Sequence, residues 1–213
     1  SAYLGDYYKM DTYYRLFHLS FGKSLKESAT VLEDNYKSVA DYVEGLYKNW
    51  YLSELGAQWT ALITDEVSQD FEVALDFAKT YGLDCVELRS AYEKGPFDYT
   101  EKDILHIKAL ADRYGIPVTA ISSPMFKCEY TEENIKLHTE KFKNLLGYAK
   151  ILGANKIRCF DFLKNASVTR EMIRDAYAEA YAAAEAAGVT ILIEAEPTTN
   201  SACCADIKAL VKC

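Results

Sequence analysis

The chain has 213 residues, of which 50% are hydrophobic and 26% are charged. This composition is typical of a globular protein and excludes a disordered, collagen-like or low-complexity chain. Its 24 basic and 32 acidic residues give a net charge of −8, and no basic run or apolar run of roughly 18 residues occurs. We therefore expect neither a nucleic acid nor a membrane as a partner.

The first 55 residues form a segment with its own pattern, and the predicted domains are 1–55 and 56–213. Apolar residues recur there at helical spacing: Leu25, Leu32, Tyr36, Val39, Val43, Leu46 and Trp50. The spacing predicts a long helix from about 24 to 50, after a shorter tyrosine-rich one. This N-terminal helical segment is expected to cover an open sheet edge, to form a dimer interface, or to replace a missing barrel unit.

Residues 56–213 contain a repeat that is marked by glycines. Each of the four ends an amphipathic run and precedes a short apolar run: Gly82, Gly115, Gly153 and Gly188. Glycine takes the left-handed conformation that ends many helices without a steric penalty. The spacings of 33, 38 and 35 residues match the length of one strand–helix unit.

Five strands and five helices are predicted to alternate in this region. The strands are expected at 59–64, 85–89, 118–122, 156–160 and 190–193. The helices are expected at 71–81, after the N-caps Thr100 and Thr131, at about 169–187, and at 205–212. The strands are apolar rather than alternating, which suits a parallel sheet covered by helices. The prediction is an α/β fold of about five parallel βα units.

Polar residues follow the predicted strands, where a dinucleotide-binding fold would have a glycine-rich turn. They are Asp65, Glu66, Glu87, Arg89, Ser122, Lys127, Arg158, Glu194 and Glu196. Functional groups at the carboxyl ends of successive parallel strands are typical of a TIM-type barrel.

Four segments carry a more specific likeness: ITDEVSQD at 63–70, GLDCVELR at 82–89, AISSPMFK at 120–127 and IEAEP at 193–197. In this order and spacing, residues 57–213 resemble the sugar phosphate isomerase/epimerase family of xylose isomerase-like TIM barrels. The resemblance stops inside the fifth βα unit. It implies a partial TIM-type barrel that is truncated after that unit.

The resemblance also implies an activity, namely isomerisation or epimerisation of a sugar or sugar phosphate. Glu194 matches the family glutamate that binds a divalent metal, Mn²⁺ or Mg²⁺, and moves a proton next to the sugar carbonyl. A carboxylate base beside a Lewis acid suits proton transfer through an enediolate. Candidate substrate-binding residues are Glu87, Arg89, Lys127, Arg158 and Glu196.

Two other functions remain open at this stage. The family's other metal ligands come from later strands, so the chain could instead be a catalytically incomplete barrel that acts as a binding protein, scaffold or assembly subunit. Dehydratase or lyase chemistry on a similar substrate is the third reading. Because an open half-barrel exposes apolar sheet, we also expect a homo-oligomer.

Several of these residues have structural readings as well. Glu87 and Arg89 lie two apart on one strand face and could pair with neighbours as an ion network. Asp65 and Glu66 could cap the following helix. The cysteines are read as thiols in the reducing cytoplasm, with Cys85 and Cys159 inside strands, and Cys203 and Cys204 as small buried helix residues.

Overall fold

The computed structural model describes residues 60–211, and the predicted N-terminal helical segment lies outside this range. Strands and helices alternate in the described part of the chain. The strands are β1 (Ala61–Ile63), β2 (Cys85–Leu88), β3 (Val118–Ser122), β4 (Lys156–Cys159) and β5 (Thr190–Ile193). The helices are α1 (Phe71–Thr80), α2 (Glu101–Tyr114), α3 (Glu132–Leu152), α4 (Arg170–Ala187) and α5 (Cys204–Val211).

The five strands form one parallel sheet in the order β1-β2-β3-β4-β5. Ile63 lies opposite Glu87 in the first pair, and Ser122 lies opposite Arg158 in the third. Since every pair is parallel, the carboxyl ends of all five strands meet at one edge. The predicted α/β fold of about five βα units, a partial TIM-type barrel, is therefore confirmed.

The core lies between the sheet and its helices. Strand residues Val86, Leu88, Ile121 and Ile157 are buried on the helix side of the sheet. The helices contribute Phe71, Leu75, Ile104, Ile107, Phe142, Leu145, Ile173 and Ala180. Because side chains alternate along a strand, the residues between these apolar positions face the other side of the sheet.

Short-range signals set the ends of the helices. Thr100 caps α2, where it forms a reciprocal capping box with Asp103, and Thr131 caps α3, both as predicted. Asp70 accepts the N–H of Glu72 at the start of α1. The alternative that Asp65 or Glu66 caps this helix is wrong, because both lie in a preceding 3-10 turn, Thr64–Glu66.

Burial separates the cysteines into two groups. Cys85 and Cys159 are buried free thiols, as predicted, and burial raises the pKa of Cys159 to about 12. Cys203 and Cys204 are exposed at the start of α5, so the prediction that they are buried is wrong.

None of the helices within residues 60–211 combines the length and apolarity that crossing a bilayer requires.

The loops after β3 and β4 are joined by backbone hydrogen bonds. The N–H groups of Phe160 and Phe162 donate to the carbonyls of Met125 and Phe126, each at 2.8 Å. Phe126 and Phe162 both have positive φ, and their rings stack at 4.3 Å. The N–H of Phe126 donates to Nδ1 of His138 on α3 at 2.8 Å, which fixes the loop to the helix.

Gly147 within α3 and Gly153 directly after it provide a matched test of the helix end. Gly153 has φ of +79°, and a methyl group there would meet no atom within 4 Å, so only backbone strain opposes a substitution. We expect Gly153→Ala to lower the free energy of unfolding by about 1 kcal/mol. The control Gly147→Ala, in the same helix and equally unobstructed, should raise it by about 0.5 kcal/mol. Urea denaturation measures both, and equal effects would contradict the strain at Gly153.

The contact between His138 and Phe126 predicts a pH dependence. Burial lowers the pKa of His138 below its ordinary value of 6.5, and a protonated Nδ1 cannot accept the Phe126 N–H. The unfolded chain therefore takes up this proton first as the pH falls, so stability present above pH 6.5 is lost below it. Urea denaturation from pH 7.5 to 5 should show a smaller loss in His138→Asn, whose amide oxygen takes the position of Nδ1 and accepts without titrating. An identical pH profile in both proteins would count against this role.

Candidate functional site

A row of polar contacts crosses four neighbouring strands at their carboxyl ends. The Ser122 hydroxyl donates to Glu87 and lies 3.2 Å from Nε of Arg158. The same Nε lies 2.9 Å from Oε2 of Glu194. These four residues, here called the polar row, come from β2, β3, β4 and the position just after β5. They lie on the face of the sheet that the helices within residues 60–211 do not cover, here called the uncovered face.

Arg158 is the centre of the polar row. Its side chain is 14% exposed, and its Cζ atom lies 4.6 Å from the centre of the Phe160 ring. A charge that is largely withdrawn from water is costly unless it is paired and hydrogen-bonded. Glu194 supplies the opposite charge, and Ser122 and Phe160 surround the rest of the side chain.

A second ion pair lies over the same aromatic ring. Nζ of Lys127 is 3.1 Å from Oε2 of Glu196 and 4.7 Å from the centre of Phe160. The hydrogen bond from Lys127, followed by those from the hydroxyl and the N–H of Thr198, lowers the pKa of Glu196. The side chains of Lys127 and Arg158 therefore both lie against the Phe160 ring, and each is paired with a glutamate that follows β5.

Arg89 belongs to a separate cluster near the end of β1. Its Nε lies 3.0 Å and 2.9 Å from the two carboxylate oxygens of Asp65, and its Nη2 lies 2.6 Å from Glu66. The Ser90 hydroxyl donates to Asp65 at 2.9 Å. Glu87 and Arg89, for which pairing with neighbours was the structural alternative, thus have different partners: Glu87 joins the polar row, and Arg89 joins an acidic cluster.

Sequence reasoning did not include Ser122 or Phe160 among the site residues. Ser122 links Glu87 to Arg158 within the polar row. The Phe160 ring contacts both Lys127 and Arg158. The available signal was the register of the sheet, because Ser122 and Arg158 lie directly opposite each other on neighbouring strands. Phe160 had no such signal, since an aromatic residue at a strand end reads as core.

The described residues do not by themselves fit a divalent metal ion. A hard cation takes several oxygen ligands, whereas residues 60–211 contain no group of three His, Cys, Asp or Glu side chains close enough to hold one. Glu194, the predicted ligand, faces Arg158. Glu196 is engaged by Lys127 and Thr198. The site is therefore a set of paired charges on one face of the sheet.

Solved structures with the same fold include several sugar enzymes. The 3-keto-D-glucoside 4-epimerase YcjR from E. coli is 14% identical with a TM-score of 0.58, over 71% of this chain and 62% of that one. The IolI protein with a bound zinc atom is 18% identical with a TM-score of 0.57, over 71% and 58%. The D-allulose 3-epimerase from Methylomonas sp. in complex with D-allulose is 13% identical with a TM-score of 0.54, over 72% and 55%. At these identities the likeness shows the fold.

Sequence comparison gives two further findings. A 65-residue stretch is 37% identical to the alkaline phosphatase-like protein BrxZ of Escherichia coli O9:H4 (strain HS), over 30% of this chain and 7% of that protein. The chain thus spans a small part of BrxZ and 55–62% of the three solved structures. The profile of the xylose isomerase-like TIM barrel matches residues 75–212, which is more than half of the chain. The chain therefore belongs to the xylose isomerase-like TIM barrel family.

Proposed function

We propose that the chain is a sugar isomerase or epimerase, or a part of one, that binds a polyhydroxylated carbonyl compound at the carboxyl end of its sheet. The observation that carries this proposal is the polar row from Glu87 to Glu194. It places a carboxylate, a hydroxyl, a guanidinium and a second carboxylate side by side on the uncovered face. Sugar hydroxyls both donate and accept hydrogen bonds, so they suit such a mixed surface.

Glu194 is proposed as the acid and base. Its side chain is 41% exposed, which leaves the carboxylate open to a ligand, and Arg158 holds its orientation. In the proposed isomerisation, a Glu194 oxygen takes the proton from the carbon next to the carbonyl and returns it to the former carbonyl carbon, while the hydroxyl proton passes to the former carbonyl oxygen. Epimerisation would need a second acid that delivers a proton to the opposite face of the first carbon. The intermediate is an enediolate, whose charge is borne by the former carbonyl oxygen.

The remaining candidates are proposed as substrate contacts, and they differ in how close they lie to Glu194. Glu87 and Arg158 line the uncovered face, and Lys127 with Glu196 forms its second charged pair. Arg89 is proposed to act at the periphery, since Asp65 and Glu66 take up its guanidinium. A Mn²⁺ or Mg²⁺ ion on Glu194 would require ligands beyond residues 60–211, and the proposed proton transfer does not depend on one.

The cellular setting is part of the same proposal. Two buried free thiols, Cys85 and Cys159, support a reducing compartment such as the cytoplasm. Within the described residues, β1 and β5 each have a paired strand on one side only. Unpaired edges favour association, so we propose a homo-oligomer.

Light scattering of the full chain tests the proposed self-association. We expect a mass of two chains or more, because pairing removes open edges and apolar surface from water. Dilution should shift the distribution toward lower mass. A single species with the mass of one chain at all concentrations would show that association is not needed.

A barrel that binds a sugar without converting it is the second candidate. The ion pair between Glu194 and Arg158 favours it, because Oε2 of Glu194 already lies 2.9 Å from Nε of Arg158 and is engaged before any substrate binds. Binding and catalysis therefore need separate measurements.

Proton exchange in D₂O separates the two candidates. The full chain is incubated with a panel of ketoses and aldoses that includes D-allulose, and ¹H NMR follows the protons next to the carbonyl. We expect at least one sugar to lose such a proton to solvent deuterium. Because Glu194 is the proposed base, Glu194→Gln should slow the exchange by about 100-fold or more. Glu185→Gln, at an exposed position of α4, is the matched control and should leave the rate unchanged.

Each result has a separate meaning. Chemical-shift changes in a sugar without exchange would favour the barrel that only binds. If no sugar of the panel shows either a chemical-shift change or proton exchange, the proposal is contradicted. Exchange that persists in Glu194→Gln would assign the base to another residue.

A further inference from the structure

We infer that the resident cation of this site is the guanidinium of Arg158, which occupies the place beside Glu194 that the family resemblance assigns to a divalent metal. The occupation of this place follows from the geometry of the polar row. Its use in proton transfer rests on the proposed function.

Arg158 has a less exposed side chain than the other paired arginines of the described region. Its side chain is 14% exposed, against 36% for Arg89 and 58% for Arg113. Glu194, Ser122 and the Phe160 ring contact it from three directions. An exposed arginine can leave a carboxylate at little cost, whereas Arg158 would have to give up all three contacts.

A divalent ion on Glu194 would meet this charge at short range. A Mg²⁺ ion binds a carboxylate oxygen at about 2 Å, and Nε of Arg158 already lies 2.9 Å from Oε2. Arginine stays protonated at all accessible pH values, so the repulsion cannot be relieved by loss of a proton. The other carboxylate that follows β5, Glu196, is neutralised by Lys127. Metal binding would therefore leave Arg158 buried without an anionic partner.

The guanidinium can also carry out the electrostatic part of the proposed reaction. Within the described residues, the polar contacts of Arg158 run through Nε, so its two terminal nitrogens can donate to a substrate oxygen. When the C–H bond next to the carbonyl breaks, Glu194 gains the proton and the electron pair forms the enediolate. The negative charge then rests on an oxygen beside a fixed, charge-assisted donor. Return of the proton to carbon restores the starting charges.

Binding of Mn²⁺ alone tests the inference. Electron paramagnetic resonance measures free Mn²⁺ in the presence of the metal-stripped full chain. We expect no stoichiometric binding at micromolar concentration by the wild type or by the charge-preserving Arg158→Lys. Arg158→Met removes the opposing charge and should strengthen Mn²⁺ binding by about tenfold, and Glu194→Gln in that background should abolish the gain. Arg113→Met, on the outer surface, is the control and should match the wild type.

Stoichiometric micromolar binding by the wild type that is lost in Glu194→Gln would overturn the inference. Should Arg158→Met fail to fold, as judged by circular dichroism, Arg158→Gln, which also lacks the charge, replaces it. A folded neutral variant with no gain in Mn²⁺ binding would overturn the inference as well. The outcome is separable from the proposed function. Mn²⁺ exclusion without sugar exchange would retain Arg158 as the resident cation and reject the isomerase. Sugar exchange together with Mn²⁺ bound to Glu194 would retain the isomerase and reject Arg158 as the resident cation.

Discussion

The mostly inaccessible charge of Arg158 is the constraint on which the arrangement of the site depends. A guanidinium that is largely withdrawn from water must find an anion and hydrogen-bond acceptors within a few ångströms. Parallel pairing supplies them from both sides, since Ser122 lies opposite Arg158 on β3 and Glu194 follows the strand paired on the other side. A shift of one residue in either pairing would turn these side chains to the helix face. The charge of Arg158 is therefore paired only when the strands are in this register.

Proteins that share this fold differ in the cations that they hold. A solved structure with the same fold, IolI, carries a zinc atom, while the described residues of this chain place an arginine beside Glu194. Fold alone does not determine the chemistry that a site performs. A metal ion offers several open coordination positions, whereas a guanidinium offers donors in a fixed plane. A site whose cation is a guanidinium therefore favours substrate oxygens that lie in that plane.

The sequence predicted the strands, the helix caps and the shared edge, because each depends on local patterns. Apolar runs located the strands, and Thr100, Thr131 and the glycines located helix ends. The misassigned residues depend on contacts between distant segments. Asp65 and Glu66 were read as capping a helix, but they bind Arg89 across 23 or 24 residues of sequence. Cys203 and Cys204 read as buried because cysteine usually is, but the start of α5 is exposed.

Loop conformation explains why the second charged pair could not be assigned in advance. Lys127 reaches Phe160 because the loop after β3 is bonded to the loop after β4, with Phe126 in the left-handed region. Phenylalanine rarely adopts that conformation, so no residue pattern predicts it. His138 binds the Phe126 N–H, and ring stacking on Phe162 supports the turn. Helix α3 thereby helps to place Lys127. The position of this charge at the sheet edge therefore depends on the packing of a helix in the outer layer.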